Sequence, residues 1–351
     1  MKQLLFIGHE FHKKTKSADF IKDLLALRYN VECYYINPSE KYSFENLADK
    51  EYDVLILWQV MPSLKELHKF ITFQHCAFFP MYDNTKTLNS SLWNEYTECN
   101  IINFSKTFHK TCQAGGLSSY YIQYFPEQAE IFNYGEEDSV FFWQRSEKIT
   151  TKTIEKVINV GKINKLYLHK STDPDNKFKQ PAKKWKNKVI YSTWFDTKEE
   201  MQNYIQQSAI YFAPRKYEGI GMSFLEAMAA GRCVIAPDYP TMNEYIKNGE
   251  TGYLYNFKRP QKIKFDDIRK IQKNTLEYIK HGYAQWQKEK YSILDYIEKA
   301  PVIDIEKIKE NIFIRNEKRM IFGIFPAKVK ETQTYTKYEI FNFIPLRFNN
   351  P

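Results

Sequence analysis

Apolar residues in this chain come in short unbroken runs, separated by mixed stretches about one helix long. In the first third the runs are Leu4–Gly8, Val31–Asn37, Asp53–Trp58, Cys76–Pro80, Asn100–Phe104 and Tyr120–Tyr124. A continuous run, rather than strict alternation, is what a strand buried on both faces requires. The stretches Ser17–Arg28, Ser63–Phe73, Ser90–Glu98 and Lys106–Ala114 read as helices. Strand-helix alternation predicts a parallel sheet with helices on both faces. The rhythm lapses from Phe125 to Asp138 and then restarts. Strands are expected at Val140–Trp143, Lys165–Leu168, Val189–Ser192, Ile210–Ala213, Cys233–Ala236 and Gly252–Tyr255. Helices are expected at Lys198–Gln207, Ser223–Ala230, Met242–Lys247, Phe265–His281 and Ala284–Lys299. The expected fold class is α/β, with two doubly wound domains in tandem over residues 1–130 and 131–300, facing a cleft, and a tail over 301–351.

Composition narrows the class. A chain of 351 residues, 43% hydrophobic, can build two cores of ordinary size. A charged fraction of 26% excludes global disorder. No apolar run approaches the roughly 18–20 residues of a membrane-spanning helix. The opening MKQLLFIGHEF is too short in its apolar part for a secretory leader. Five cysteines, none spaced C-x-x-C, argue against a zinc site or a disulfide scaffold, and a reducing cytoplasm fits best. The net charge of +9 favours acidic partners. Nine lysines fall between Lys162 and Lys188, against Asp173 and Asp175 alone, and a solvated surface is their plainer reading. Basic and aromatic residues do not interleave as in an RNA-binding motif, so nucleic acid is not the expected partner. A basic nucleic-acid-binding module is the rival reading from another class.

The candidate chemistry lies where glycine concentrates. Of 12 glycines, five (Gly219, Gly221, Gly231, Gly249, Gly252) fall between residues 219 and 252. An apolar strand, Ile210–Ala213, runs into a loop with two of them, and a helix opens near Met222 or Ser223. Strand, glycine loop and helix N-terminus together can hold a phosphate on free N–H groups. Glu218 and Glu226 flank the turn. Carboxylates accept hydrogen bonds only, so beside a phosphate they suit the hydroxyls of a sugar and a ribose. A nucleotide-sugar has that pattern. Ser223-Phe-Leu-Glu226 also reads as a capping box, in which Glu226 would only tie the helix start.

Glu218-Gly-Ile-Gly-Met-Ser-Phe-Leu-Glu226-Ala-Met-Ala-Ala-Gly231, with Glu244-Tyr-Ile-Lys-Asn-Gly249-Glu-Thr-Gly252 downstream, resembles the signature of retaining GT-B glycosyltransferases of the family 4 type. Residues 188–257 carry the specific match. Pro80-Met-Tyr-Asp83, Asn103-Phe-Ser-Lys106 and Phe142-Trp-Gln-Arg145 are similar to a subgroup from bacterial surface-polysaccharide clusters. The resemblance implies two Rossmann-like domains and transfer of a sugar, with retention, from a UDP- or GDP-sugar to a glycan. It implies that Glu218 bonds the transferred sugar and Glu226 the ribose. Gly219, Gly221 and the amides of Met222 and Ser223 would cradle the diphosphate, and the backbone of Ser192 to Phe195 would frame the base. Arg145, then Lys148, are the expected phosphate ligands, closer together than the family's usual Arg and Lys. Arg215 follows Pro214 directly, and the family's usual serine near that proline is missing. A same-fold epimerase or phosphorylase is the nearest alternative.

The acceptor side is expected in the first domain. The family's Gly-Gly loop is replaced there by Gly8-His-Glu-Phe-His12-Lys-Lys-Thr-Lys-Ser17. His9, His12 and Lys16 follow the first strand, where α/β sheets bind ligands. Asp83 follows Pro80 at a strand end and is the expected first-domain residue near the reacting groups. Asp173-Pro-Asp175 is formally D-x-D but reads as a proline turn. No catalytic metal and no cofactor are expected, the nucleotide-sugar being a substrate. The tail carries nine Lys or Arg against six Asp or Glu, around Met320–Phe325 and Ile340–Leu346. Such clusters can sit on an anionic membrane surface, which would bring a cytoplasmic enzyme to a lipid-linked acceptor. Packing as strands is the alternative.

Overall fold

The apolar runs of the first 122 residues form one parallel sheet. The computed structural model describes residues 1–129, 133–195, 197–265 and 267–305, together with the backbone of four later strands. The first sheet holds β1 (Lys2–His9), β2 (Tyr29–Ile36), β3 (Lys50–Trp58), β4 (Ile71–Phe79), β5 (Asn100–Asn103) and β6 (Ser119–Tyr121). Their order is β2-β1-β3-β4-β5-β6. The connections carry α1 (Phe11–Thr15), α2 (Asp19–Ala26), α3 (Leu64–Leu67) and α4 (Lys106–Ala114). Leu5, Ile7, Leu55, Leu57, Cys76 and Phe78 share one face and pack with Phe108 and Cys112 of α4. The chain order reverses at β1, which lies between β2 and β3.

Residues 123–289 form a second unit on the same plan. Its strands are β7 (Glu136–Trp143), β8 (Lys165–His169), β9 (Val189–Ser192), β10 (Ser208–Phe212), β11 (Cys233–Pro237) and β12 (Gly252–Tyr255). They lie in the order β12-β11-β10-β7-β8-β9, all parallel. Its helices are α5 (Thr151–Val157), α6 (Lys198–Gln206), α7 (Met222–Ala229), α8 (Met242–Tyr245) and α9 (Ile268–Glu289). Val140, Phe142, Leu166, Leu168, Ile210, Phe212 and Ile235 form the core. Here β7 is the reversal point, so a crevice is expected beyond the carboxyl ends of β7 and β10.

The chain then returns to the first unit, which comprises residues 1–122 and 290–351. The boundaries therefore fall at 122/123 and 289/290, where the sequence placed them at 130/131 and 300/301. The reason is α10 (Tyr291–Glu298). It buries Ile293, Leu294 and Ile297, and its Asp295 and Glu298 pair with Arg28 at 2.8 and 3.0 Å. The Tyr296 carbonyl accepts from Asn100 Nδ2 at 2.6 Å, and Ser292 bonds Tyr120 at 2.7 Å.

Other differences are local. The helix break expected at Gly282 does not occur, and α9 runs through it. A Cβ there would meet the Phe125 ring at 2.3 Å, so this glycine makes room for an aromatic instead of ending a helix. The helix expected over Ser63–Phe73 shrinks to α3, because Ile71, Thr72 and Phe73 pair with Lys50, Glu51 and Tyr52 as β4. Ser91–Tyr96 is a 3-10 turn. The tail holds β13 (Arg315–Ile321), β14 (Phe325–Glu331), β15 (Tyr335–Ile340) and β16 (Ile344–Asn349). They form an antiparallel meander. Tail residues between and beyond these strands lie outside the described residues.

Candidate functional site

Adjacent strands deliver two arginines to the reversal point of the second unit. Phe142 of β7 pairs with Phe212 of β10, and each strand runs on within three residues to an arginine, Arg145 and Arg215. The loop after β8 supplies the carboxylate between them. Asp173 Oδ1 accepts from Arg145 Nε at 2.9 Å and Nη2 at 2.8 Å. Its Oδ2 accepts from Arg215 Nε at 3.1 Å and Nη2 at 2.6 Å. The Asp173 amide also donates to the Arg145 carbonyl at 2.8 Å. Arg145 lies over the Trp143 ring, 4.6 Å from its centroid, and Trp143 Nε1 donates to the Ser171 carbonyl. The three ionic side chains are 12%, 22% and 29% exposed, so the triad is half-buried with net charge +1. The sequence treated Asp173 only as part of a turn. The turn is present, with Asn176 N bonding the Asp173 carbonyl at 3.2 Å, and the carboxylate does the further work of fixing two guanidiniums.

The glycine loop follows Arg215. Lys216 lies 4.6 Å from the Tyr217 and Tyr239 ring centroids and 5.2 Å from that of Phe257, pinning the loop to the segments after β11 and β12. Glu218 N donates to the Pro240 carbonyl at 3.3 Å, and Thr241 Oγ1 donates to the Ile220 carbonyl at 3.1 Å. Glu218 is thereby held with its side chain buried. Gly221 adopts φ +87° and is the N-cap of α7. Its carbonyl accepts the first helical bond, from Leu225 N at 3.1 Å, so the amides of Met222, Ser223 and Phe224 have no acceptor within the helix.

This position of the N-cap overturns the capping-box reading. Ser223 is the second residue of the helix, not the residue before it, and Glu226 stands a further three residues in. Neither can make the reciprocal bonds of that motif. Tyr211, in the middle of β10, is fully buried. Burial pushes that phenol well above its usual range, so it stays protonated. The arrangement offers cations, free amides and carboxylates at the end of a doubly wound sheet.

Residues 156–289 match the family described as Glycosyl transferases group 1. A 78-residue stretch is 33% identical to an uncharacterized 41.2 kDa protein in the cps region of Klebsiella pneumoniae, covering 22% of each chain. The chain thus spans about a fifth of the length of that relative. Among solved structures, sucrose-phosphate synthase from Thermosynechococcus elongatus is 13% identical, with a TM-score of 0.56 over 84% of this chain and 99% of that one. A glycosyltransferase from Rickettsia africae is 12% identical, with a TM-score of 0.54 over 85% and 99%. Two parallel six-stranded sheets and these neighbours establish the GT-B fold.

The glycosyltransferase group 1 segment thus contains Glu218, Gly219, Gly221, Met222, Ser223, Glu226 and Arg215, while Arg145 and Lys148 precede it. Lys148 is exposed on the loop after Arg145 and stands outside the triad. His169, which ends β8, is buried against Phe195 (4.9 Å, 9°) and Trp143 (5.1 Å), with Nδ1 3.0 Å from Ser192 Oγ. Burial lowers its pKa to about 4. Four of the nine lysines of the 162–188 segment bond acidic side chains or carbonyls: Lys165 with Glu136, Lys179 with Glu147, Lys184 with Glu155, and Lys188 on the Val160 and Ile163 carbonyls.

In the first unit, His9 ends β1 and His12 follows it, at that sheet's own reversal point. His12 is buried, with Nε2 2.7 Å from Gln59 Oε1 and Nδ1 2.7 Å from Ser17 Oγ, and burial lowers its pKa. Gln59 follows β3 in a left-handed conformation, φ +67°. No local pattern marked it, because its role depends on β1 and β3 being neighbours. His9 Nδ1 accepts from Phe11 N at 3.1 Å. Lys16 is exposed at the end of α1. Asp83 lies in a turn in which Asn84 and Thr85 N bond the Met81 carbonyl at 3.0 and 2.8 Å. Among the described residues no group of three or more His, Cys, Asp or Glu side chains could hold a metal ion.

Proposed function

We propose that this protein is a retaining glycosyltransferase that moves a sugar from a nucleotide-sugar to a glycan in surface polysaccharide synthesis. One observation carries the reading: Arg215, held with Arg145 on the half-buried Asp173, leads within six residues to a left-handed Gly221 that opens α7, and Glu218 and Glu226 stand on either side of that glycine in the sequence. Amides and guanidiniums suit a diphosphate, and the two carboxylates suit the polyols attached to its ends. In this assignment Glu218 accepts from the transferred sugar and Glu226 from the ribose. Arg145, Arg215, Lys148, Gly219, Gly221 and the Met222 and Ser223 amides bind the diphosphate. As the bond to the sugar breaks, charge grows on the leaving oxygen, and fixed cations there lower the barrier. That oxygen, on the same face as the incoming hydroxyl, takes the acceptor's proton, which gives retention without a separate base. His9, His12, Lys16 and Asp83 are assigned to the acceptor. The cps-region relative is in keeping with a polysaccharide role. The proposal takes the acceptor as lipid-linked and the protein as peripheral on the cytoplasmic side of an anionic membrane. No described helix is long and apolar enough to cross a membrane.

The test is thermal unfolding with UDP, GDP and their sugar conjugates. A ligand at 100 times its dissociation constant adds about 2.7 kcal/mol to stability. A rise in melting temperature with one base supports the reading and names the donor. A rise with DNA and with no nucleotide refutes it.

A further inference from the structure

We propose that one face of the tail sheet docks on an anionic lipid layer, held there by charge and without insertion. The inference rests on the peripheral-membrane part of the proposed function and adds the face and the mode of contact. Register decides it. Residues directly opposite each other in an antiparallel pair share a face, and successive residues of a strand alternate faces. Across β13, β14, β15 and β16, one face carries the row Glu317, Val329, Tyr338, Leu346 and the row Arg319, Ala327, Ile340, Ile344. The other carries the row Asn316, Lys330, Lys337, Arg347 and the row Lys318, Lys328, Glu339, Pro345.

The two faces differ in kind. The first takes Ile321 and Phe325 from one apolar cluster of the tail and Ile340, Ile344 and Leu346 from the other. Its charges balance, Arg315 and Arg319 against Glu317 and Glu331, and Arg315 stands directly opposite Glu331. An apolar face of this kind is what a core covers in a half-buried antiparallel sheet. The second face has Lys318, Lys328, Lys330, Lys337 and Arg347 against Glu339 alone. Lys318 is directly opposite Lys328, Lys330 opposite Lys337, and Lys337 opposite Arg347. Opposed residues are only about 5 Å apart, and like charges so placed destabilise a sheet. A layer of negative charge against this face offsets that repulsion. The cations spread over all four strands, which suits an extended surface on which each basic residue adds its own attraction. Tyr335 is the one aromatic residue on that face, whereas single-stranded nucleic acid is held on several stacking rings. Cations and apolar clusters, neighbours in the sequence, are thus sorted to opposite faces. The cations therefore cannot meet headgroups while the apolar clusters enter the same leaflet, and the contact is electrostatic.

The experiment is sedimentation of the full chain with vesicles of phosphatidylcholine and phosphatidylserine in equal amounts, with melting temperatures alongside. Lys330→Gln with Lys337→Gln is expected to weaken binding about 30-fold, the worth of two basic residues at such a surface. Its melting temperature should equal or exceed the parent's, because a like-charge pair is removed. Lys318→Gln with Lys328→Gln, in the neighbouring row, should lose about as much, and Lys330→Arg with Lys337→Arg should bind like the parent. Arg315→Gln with Arg319→Gln removes the same charge from the other face and should leave binding nearly unchanged. Equal losses from the lysine and arginine pairs would mean that only net charge counts, which overturns the docking face. A fraction that stays on the vesicles in about 1 M salt, where the Debye length is about 3 Å, would mean insertion and overturns the electrostatic mode. Binding to duplex DNA that the lysine pairs weaken, with no pelleting on vesicles, gives the face to nucleic acid and overturns the lipid. Failure of the parent to pellet at low salt removes the peripheral reading itself. Pelleting that the lysine pairs do not weaken removes this inference alone.

Discussion

Gly221→Ala tests the structural basis of the loop with a magnitude that can be worked out. The residue adopts φ +87°, ψ +41°. An L-residue held in left-handed backbone costs about 1–2 kcal/mol. A Cβ built there would stand 1.9, 2.5 and 2.9 Å from three atoms of the Phe224 ring. That ring is fully buried and packs edge-on against Tyr245 at 5.8 Å, so it has little room to retreat. Forcing an extra methyl into such packing costs about 1–3 kcal/mol. The sum predicts a loss of about 2–5 kcal/mol. Gly249→Ala is the control, because Gly249 has φ +78° but nothing within 4 Å of its Cβ position. Its loss should be the backbone part alone, about 1–2 kcal/mol. Urea unfolding of both variants, compared at equal denaturant slope, separates the two contributions. If Gly221→Ala costs no more than Gly249→Ala, the close approach of Phe224 is not a constraint and the account of this turn is wrong.

Four further outcomes are expected. Glu226→Ala should weaken nucleotide binding about 10- to 150-fold, the worth of lost charge-assisted bonds, and should leave stability nearly unchanged because Gly221 rather than Ser223 is the N-cap; a loss near 1 kcal/mol in urea with normal affinity would restore the capping reading. Asp173→Ala leaves two half-buried guanidiniums facing each other and should cost about 2–4 kcal/mol in the same unfolding measurement, with Asp173→Glu recovering part of it. His169 is neutral in the fold, with a pKa near 4 against about 6.5 when unfolded, so the unfolded chain binds the extra proton between those values. Stability is fully present above pH 6.5 and should fall by about 3 kcal/mol as pH drops to 4, a slope that His169→Gln should flatten. The full chain should pellet with anionic vesicles at low salt and release as salt rises, and a chain ending after Ile305 should not pellet; that end point spares Ile303, which is buried with its amide bonded to the Gln74 carbonyl at 2.8 Å.

What could be read from the sequence was whatever is local. Buried parallel strands announce themselves as unbroken apolar runs, and all twelve strands of the two parallel sheets lie at or within a few residues of such runs. The strand–glycine–helix unit was also legible, because Gly221, Met222 and Ser223 are consecutive and their chemistry follows from backbone geometry. What escaped depends on pairings made across the chain. Asp173 gains its meaning only when the loop after β8 meets arginines from β7 and β10, 28 and 42 positions away. Gln59 meets His12 across 47 residues because β1 and β3 are neighbours. The break expected between His281 and Ala284 is absent, and Gly282 within it leaves room for Phe125, far upstream. The last helix was assigned to the wrong unit for the same reason: an apolar face on α10 says that it must be buried, and only the partners Arg28, Asn100 and Tyr120 say where. Periodicity therefore specifies which surfaces must be covered, while side chains that act in pairs are specified by topology. It follows that the geometry of the glycine loop is set locally, while the pairing of Arg145 and Arg215 on Asp173 is set by the fold of the whole second unit.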